Sequence, residues 1–366
     1  MKRKKVLILG KLPPPYMGPS IATEIILRSK LKENFDLIHL NTKTNHTLDS
    51  FGKWKIGKIR NNISIYFRMM RILGSQKPEL VLIPISQTTT GFVKDSFFIL
   101  IARLYGKKVL LQLRGSNFKK WMGGASSLTK AWVRMNLKKA AGIIVLGNKL
   151  RHLFEEYFNT EQIFVVPNGG DYVIPAKTES KELNILYLSN LLGSKGVEDV
   201  CLALEMLGRE TTIPFSADLI GAWHSEEDKK RCLEILGRNK NLQVRIHAPK
   251  GKEEKFQFLA RAGIFVFPPR EPEGHPWAIV EAMAAGLPII STDQGAITES
   301  VIDGRNGFIV TPASPAEITH KLKLLAGNPG LRKKMGDESR NLYLANFTEA
   351  KMVERFTAAF NTVLAQ

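Results

Sequence analysis

A chain of 366 residues, 44% apolar and 24% charged, is long and apolar enough to bury two cores, which excludes a disordered or fibrous protein and points to two domains. Two cysteines, Cys201 and Cys232, exclude a disulfide framework and read as ordinary thiols; the seven scattered histidines show no paired spacing, so no protein metal site is signalled. The net charge of +19 is uneven: residues 1–170 hold 29 Lys and Arg against 9 Asp and Glu, and residues 171–366 hold 24 against 25, so an anionic partner is expected for the first half alone.

The opening MKRKKVLILG starts like a secretory signal, but its apolar core is short and runs into Pro13-Pro14-Pro15, so Lys5 to Gly10 reads as a buried strand. No run of about 18 apolar residues follows; the best, Ser96 to Tyr105, is cut by Arg103. A cytoplasmic protein is expected, with peripheral contact to the inner face of the membrane left open. After the first strand, a turn containing Gly18 precedes a helical pattern, Ile21 to Leu31. Phosphate docks in such places, although one glycine is no P-loop.

Apolar runs at Phe35–Leu40, Leu80–Pro84, Lys108–Leu113, Gly142–Leu146 and Ile163–Val166 alternate with helical patterns, predicting a mostly parallel sheet with helices on both faces. Between Asp49 and Glu79 no acidic residue occurs, while Lys53, Lys55, Lys58, Arg60, Arg68, Arg71 and Lys77 are interleaved with Trp54, Tyr66, Phe67 and aliphatic residues. Two readings fit residues 53–77: a basic amphipathic helix drawn to an anionic membrane surface, or a domain helix with a solvated basic face. Neither this segment nor the rest of the basic half carries a nucleic-acid motif, and no nucleic acid is expected.

Asn168-Gly169-Gly170-Asp171 is a turn and Pro175 to Glu182 a polar linker, which places the domain boundary. Strands are then expected at Leu183–Leu188, Ser216–Ile220, Gln243–His247, Gly263–Phe267, Leu287–Ser291 and Gly307–Val310. From Ser314 to Gln366 the chain is helical apart from breaks near Pro329 and Phe347.

The most informative stretch is FPPREPEGHPWAIVEAMAAGLPIIST, Phe267 to Thr292. Pro276 opens and Gly286 stops a short helix with almost no polar face, and Glu281 stands inside it. A buried carboxylate needs donors, either a neighbouring Lys or Arg or the hydroxyls of a ligand. Glu273 lies just before the helix N-terminus, where it either complements the dipole or belongs to a ligand site. Lys195, in the turn Gly193-Ser-Lys-Gly196, reads as a solvated lysine or as a point charge for an anion.

Several of these segments resemble retaining glycosyltransferases of family 4. EGHPWAIVEAMAAGLPIIST is similar to E-G-F-G-x-x-x-x-E-A-M-A-x-G-x-P-V-V-A-T, SNLLGSKGVEDV to G-R-L-x-x-x-K-G-x-x-x-L, VVPNGGD to V-I-P-N-G-V-D, DQGAITESVIDGRNGFIV to G-G-x-x-E-x-V-x-D-G-x-N-G-x-L-V, and PPPYMGPS to a P-P-x-x-G-G loop. The resemblance implies an α/β chain of the GT-B fold, two doubly wound Rossmann-like domains facing a central cleft. Residues 1–172 would form the acceptor-side domain, 183–345 the nucleotide-sugar domain, and 346–366 a helix crossing back to the first.

It further implies that Glu281 accepts from the ribose hydroxyls of a nucleotide-diphosphate sugar, that Glu273 holds the transferred sugar, and that Lys195 and the backbone at Gly18 bind the diphosphate. Asn190, Gly274, His275 and Pro276 would complete the donor site. Three departures stand out: Asn190 where the family has the Arg of G-R-L, Arg114-Gly115 where it often has H-G, and a single Gly18 followed by Pro19. Arg114 is therefore a candidate replacement cation with a catalytic role. No D-x-D occurs, the nearest substitute being Glu271-Pro-Glu273, and neither metal nor cofactor is expected. The implied activity is metal-independent hexosyl transfer to a glycan or lipid-linked acceptor of the cell envelope. The alternatives are a GT-B epimerase or phosphorylase, or a catalytically silent protein that binds an anionic surface.

Overall fold

A computed structural model describes residues 3–14, 17–43, 56–177, 182–239 and 242–366, with the backbone alone at 56–62. Its contacts divide the chain into two units, Met1–Gly170 with Glu349–Gln366, and Asp171–Thr348.

The first unit runs β1 (Lys5–Gly10), α1 (Gly18–Arg28), α2 (Leu31–Asn34), β2 (Asp36–Asn41), α3 (Ile56–Ser75), β3 (Leu80–Ile85), α4 (Thr89–Leu104), β4 (Lys108–Leu113), α5 (Phe118–Gly124), α6 (Ser127–Leu137), β5 (Gly142–Val145) and β6 (Ile163–Val165). Its strands pair in parallel in the order β2-β1-β3-β4-β5-β6. The strands are near-continuous apolar runs because helices cover both faces of such a sheet. Helix α1 begins at Gly18, earlier than the expected Ile21: Pro19 has no N–H to lose in a first turn and its fixed φ suits the helix. Of the basic stretch at 53–77, residues 53–55 fall outside the described residues and 56–75 form α3.

The second unit runs β7 (Leu183–Leu188), α7 (Val197–Glu210), β8 (Phe215–Ile220), α8 (Glu226–Leu236), β9 (Gln243–His247), α9 (Lys252–Arg261), β10 (Ile264–Phe267), α10 (Trp277–Ala284), β11 (Ile289–Thr292), β12 (Gly307–Val310), α11 (Pro315–Gly327) and α12 (Pro329–Asn346). Its strands are again parallel, in the order β12-β11-β10-β7-β8-β9. Cys201 on α7 and Cys232 on α8 are buried free thiols.

The last helix, α13 (Glu349–Ala365), returns to the first unit. Its Met352, Phe356, Phe360 and Val363 enter the core made by Val6, Ile8, Leu80, Leu82 and Leu110. Phe360 meets Phe35 edge-on at 5.3 Å, and Lys30 N–H donates to Glu349 Oε1 at 3.0 Å. Because strand side chains alternate between faces, Leu7, Leu9, Val81, Ile83 and Leu111 point to the opposite side, where α4 lies against β3 and β4 and is flanked by α3 and α6.

In each sheet the strand order reverses once, between β1 and β3 and between β7 and β10. Ligands of open α/β sheets bind beyond the carboxyl ends of the strands at such switch points. The loops after β7 and β10 carry Lys195 and Glu273, and those after β1 and β4 carry Gly18 and Arg114.

Candidate functional site

In the second unit, the loop after β7 ends in a tight 3₁₀ turn, Gly193–Lys195, closed by Gly196 at φ 75°. A Cβ on Gly196 would lie 2.0 Å from the carbonyl oxygen of Pro268, so a side chain there would drive this turn away from the loop after β10. The two loops are stitched together. The N–H of Arg270 donates to Ser194 O at 3.0 Å, and the Arg270 guanidinium holds both oxygens of Asp199 at 2.6 and 2.7 Å. Beneath them the hydroxyl of buried Tyr187 contacts Lys195 O at 3.1 Å and Asn190 O at 3.3 Å. Asn190 itself is exposed.

This framework brings Lys195 Nζ into an ion pair with Glu273 Oε1. Burial raises the Glu273 pKa above its ordinary value, and the charge of Lys195 and its hydrogen bond oppose that rise. The loop bearing Glu273 packs just as tightly on its other side: Gly295 has φ 61°, and a Cβ there would fall 1.5 Å from Glu273 O. Ala296 N–H donates to Gly274 O at 3.0 Å. A cation and a partly buried carboxylate are thus fixed at the switch point by two glycines and a bidentate arginine. Such a pair can serve an anion and a hydroxyl-bearing group at the same time.

Helix α10 starts four residues after Glu273, with six of its eight residues buried. Glu281 is one of them, and its Oε1 pairs with Lys255 Nζ on α9. Lys255 follows Lys252, Glu253 and Glu254 at the start of α9, with no motif to mark it. Next to this pair Tyr172 packs edge-on to Phe256 at 5.8 Å, and its buried hydroxyl has no partner among the described residues. Burial, and after it the charge of Glu281, push the Tyr172 pKa well above 10.

His275 is buried, with Nε2 2.6 Å from Ser300 Oγ and its ring 5.1 Å from that of Phe347. Its side chain faces into the unit, leaving the backbone of Gly274-His275-Pro276 as what leads into the start of α10.

In the first unit, Gly18 is the first residue of α1. Arg114, just past β4, turns its guanidinium onto that helix start, with Nη1 on Pro19 O and 2.8 Å from Thr23 Oγ1, and Nε 3.0 Å from Gln112 Oε1. All three acceptors are neutral. Burial lowers the Arg114 pKa to about 10. Its Nη2 has no partner among the described residues, nor do Gln87 Oε1 and Ser116 Oγ, which lie in the loops after β3 and β4. Gln87 packs against Gly115, where a Cβ would fall 2.2 Å from its Nε2. Neither Gln87 nor Ser116 stands in a motif; the usable signal is that Gln87 follows β3, at the switch point, and Ser116 follows its neighbour β4.

Residues 173–342 match the sequence model of the family described as glycosyl transferases group 1. An uncharacterized glycosyltransferase of Methanocaldococcus jannaschii is 23% identical over 242 residues, covering 63% of this chain and 61% of its own. The capsular polysaccharide biosynthesis glycosyltransferase CapM of Staphylococcus aureus is 25% identical over 259 residues, covering 66% of this chain and 61% of its own. The chain therefore spans about three fifths of the length of these relatives. Among solved structures, HepE of Anabaena in complex with UDP-glucose superposes at a TM-score of 0.72 and 15% identity, over 98% of this chain and 99% of its own. The fold is that of the GT-B glycosyltransferases.

Proposed function

We propose that the chain is a retaining, metal-independent glycosyltransferase that moves a hexose from a nucleotide-diphosphate sugar to a glycan or lipid-linked acceptor of the cell envelope. The observation that carries this reading is the pairing of Lys195 with Glu273 at the switch point of the second unit, eight residues before Glu281 of α10. The family match spans all three residues. HepE, solved with UDP-glucose, and CapM, named for capsular polysaccharide biosynthesis, support the donor and acceptor classes.

Glu281 accepts from the ribose hydroxyls, which compete with Lys255 for its oxygens. Glu273 accepts from hydroxyls of the sugar beside the reacting carbon. Lys195 binds the diphosphate, with Asn190 and the backbone of Gly274, His275 and Pro276 lining the donor. In the first unit, Gly18 and Arg114 keep an anion-binding role: the unpartnered Nη2 of a guanidinium bonded only to neutral groups favours an anion. As the bond to the leaving diphosphate breaks, its growing charge meets Lys195 and the N-terminal end of α10, which together replace a divalent cation. An anionic surface under residues 53–77 belongs to the same reading.

The test is thermal unfolding with nucleoside diphosphates and their sugars, followed by a product assay. A matching donor at a hundred times its dissociation constant stabilises the native state by about 2.7 kcal/mol. Glu281→Ala abolishes that stabilisation, and EDTA leaves turnover unchanged. If no nucleotide or nucleotide sugar raises the unfolding temperature, the reading fails; isomerised or phosphorolysed sugar as the product would replace it with an epimerase or phosphorylase.

A further inference from the structure

The outer faces of α3, α4 and α6 carry a feature that the donor chemistry does not use. On α4 the residues facing the sheet are buried, among them Phe92, Phe98, Ile99 and Ala102. The opposite side should then be polar. Instead it exposes Val93, Phe97, Leu100 and Leu104, at spacings of four, three and four residues that align them along one side of the helix, with Leu104 75% accessible. Helix α6 exposes Leu128, at 85%, with Trp132 and Met135 at the same kind of spacing, and α3 exposes Ile63 and Phe67, the latter at 64%.

These three helices are neighbours. The Tyr66 ring of α3 lies 5.7 Å from Phe97 and 4.8 Å from Phe98, its hydroxyl donates to Lys94 O at 2.9 Å, and Trp132 Nε1 of α6 donates to Ser96 Oγ of α4 at 3.0 Å. The apolar stripes are therefore parts of one surface. In the second unit, by contrast, exposed large apolar residues such as Ile213 and Ile302 in loops and Leu233 on α8 fall singly at separate places. Contiguous exposed apolar area of this kind marks an interaction site.

The charges on the same helices select the partner. Arg68, Arg71, Arg103 and Lys130 are exposed, and Lys138 follows directly after α6. The three helices hold a single acidic residue, Asp95, which is buried and accepts from the N–H of Ser86 at 2.8 Å. We propose that the outer faces of α3, α4 and α6 form a docking surface that seats the first unit on an anionic lipid bilayer, the apolar stripes entering the headgroup region and the arginines and lysines meeting lipid phosphates. Trp132, with its indole N–H bonded and its ring half-exposed, has the amphipathic placement of an interfacial aromatic. A second copy of the chain fits less well, since a two-fold contact would set these cations against their own equivalents. Nucleic acid would gain nothing from the central apolar stripes. This inference deepens the membrane part of the proposed function, moving its centre from residues 53–77 to α4 and α6, but uses none of the donor-site residues.

The experiment is sedimentation of the full chain with vesicles of phosphatidylcholine alone or mixed with phosphatidylglycerol, without sugar nucleotide, so that its outcome is independent of transfer activity. The wild type sediments with the anionic vesicles and not with the neutral ones, and added salt weakens the binding. The double variant Phe97→Asp/Leu104→Asp, at two exposed positions, loses binding about a hundredfold while keeping its circular dichroism spectrum and its activity on a water-soluble acceptor. Arg71→Ala and Arg103→Ala each lose about fivefold, and Leu233→Asp in the second unit changes nothing. Equal binding to both vesicle types, or unchanged binding by the double variant, overturns the proposal. So does a wild type that dimerises in sedimentation velocity while the double variant is monomeric, which would give the surface to a second copy.

Discussion

The two units repeat one architecture, six parallel strands with a single reversal of order, yet they treat charge in opposite ways. At the switch point of the second, each cation meets a carboxylate: Lys195 with Glu273, Arg270 with Asp199, and close by Lys255 with Glu281. In the first, Arg114 is satisfied only by neutral oxygens, and the outer faces of α3, α4 and α6 are basic and apolar. Paired charges fix geometry with little net field, which suits a site that must hold one small ligand in one pose. Uncompensated charges create a field that reaches into solvent, which suits a surface that must find a large anionic partner.

This contrast breaks most easily at Lys195. Its replacement by Ala removes the cation proposed for the leaving group and also leaves the largely buried Glu273 without its counter-ion. A loss of about 10²–10³ in kcat is expected, measured as release of nucleoside diphosphate with a soluble acceptor, while vesicle binding stays at the wild-type level. Equal loss of both would mean that chemistry and surface are not divided between the units.

The next largest effect compares two glycines with positive φ. Gly295 in the second unit and Gly106 in the first have φ 61° and 66°, but a Cβ at 295 would fall 1.5 Å from Glu273 O whereas one at 106 meets nothing within 4 Å. Gly106→Ala costs only the left-handed backbone, about 1–2 kcal/mol. Gly295→Ala adds displacement of the Glu273 loop, so it should cost at least about 2 kcal/mol more and lower turnover as well. Thermal unfolding of the two variants gives the difference directly. Equal losses would show that the Glu273 loop yields without resistance.

Most of the fold was legible because a parallel sheet writes itself as short apolar runs between helical patterns, and each of the twelve strands among the described residues falls on a run read from the sequence. The shared motif around Phe267–Thr292 and Gly193–Gly196 likewise placed Lys195 and Glu273 in loops that the structure brings together. What stayed hidden depends on pairing across distant segments. Lys255 lies 26 residues before Glu281 on a helix with no motif, and only packing puts it there. The exposed stripe of α4 was hidden for a different reason: in sequence, Ser96 to Tyr105 is simply an apolar run, and only burial separates Phe98 and Ile99, which face the sheet, from Phe97 and Leu100, which face water.

The smallest expected effect is a change in pH dependence. Glu273 has its pKa raised above 4.5, chiefly by burial, so in the native state it keeps its proton at a pH where the unfolded chain has lost it. The native state then binds more protons than the unfolded one, and stability from this group is fully present below pH 4.5 and is lost as pH rises through the native pKa. Glu273→Gln removes that slope, because an amide does not titrate. The unfolding temperature of the variant minus that of the wild type should therefore climb as pH rises from below 4.5 through the raised native value, and level off above it. No group in the first unit's arginine niche provides a similar test, since Arg114 remains charged throughout this range. A saturating nucleoside diphosphate sharpens the comparison: by drawing on Lys195 and adding negative charge near Glu273, it pushes the carboxyl pKa higher, and the climb extends to higher pH. A difference that is flat with pH would mean that Glu273 is not buried against Lys195 as described, and an extension absent with nucleotide present would separate Lys195 from the diphosphate.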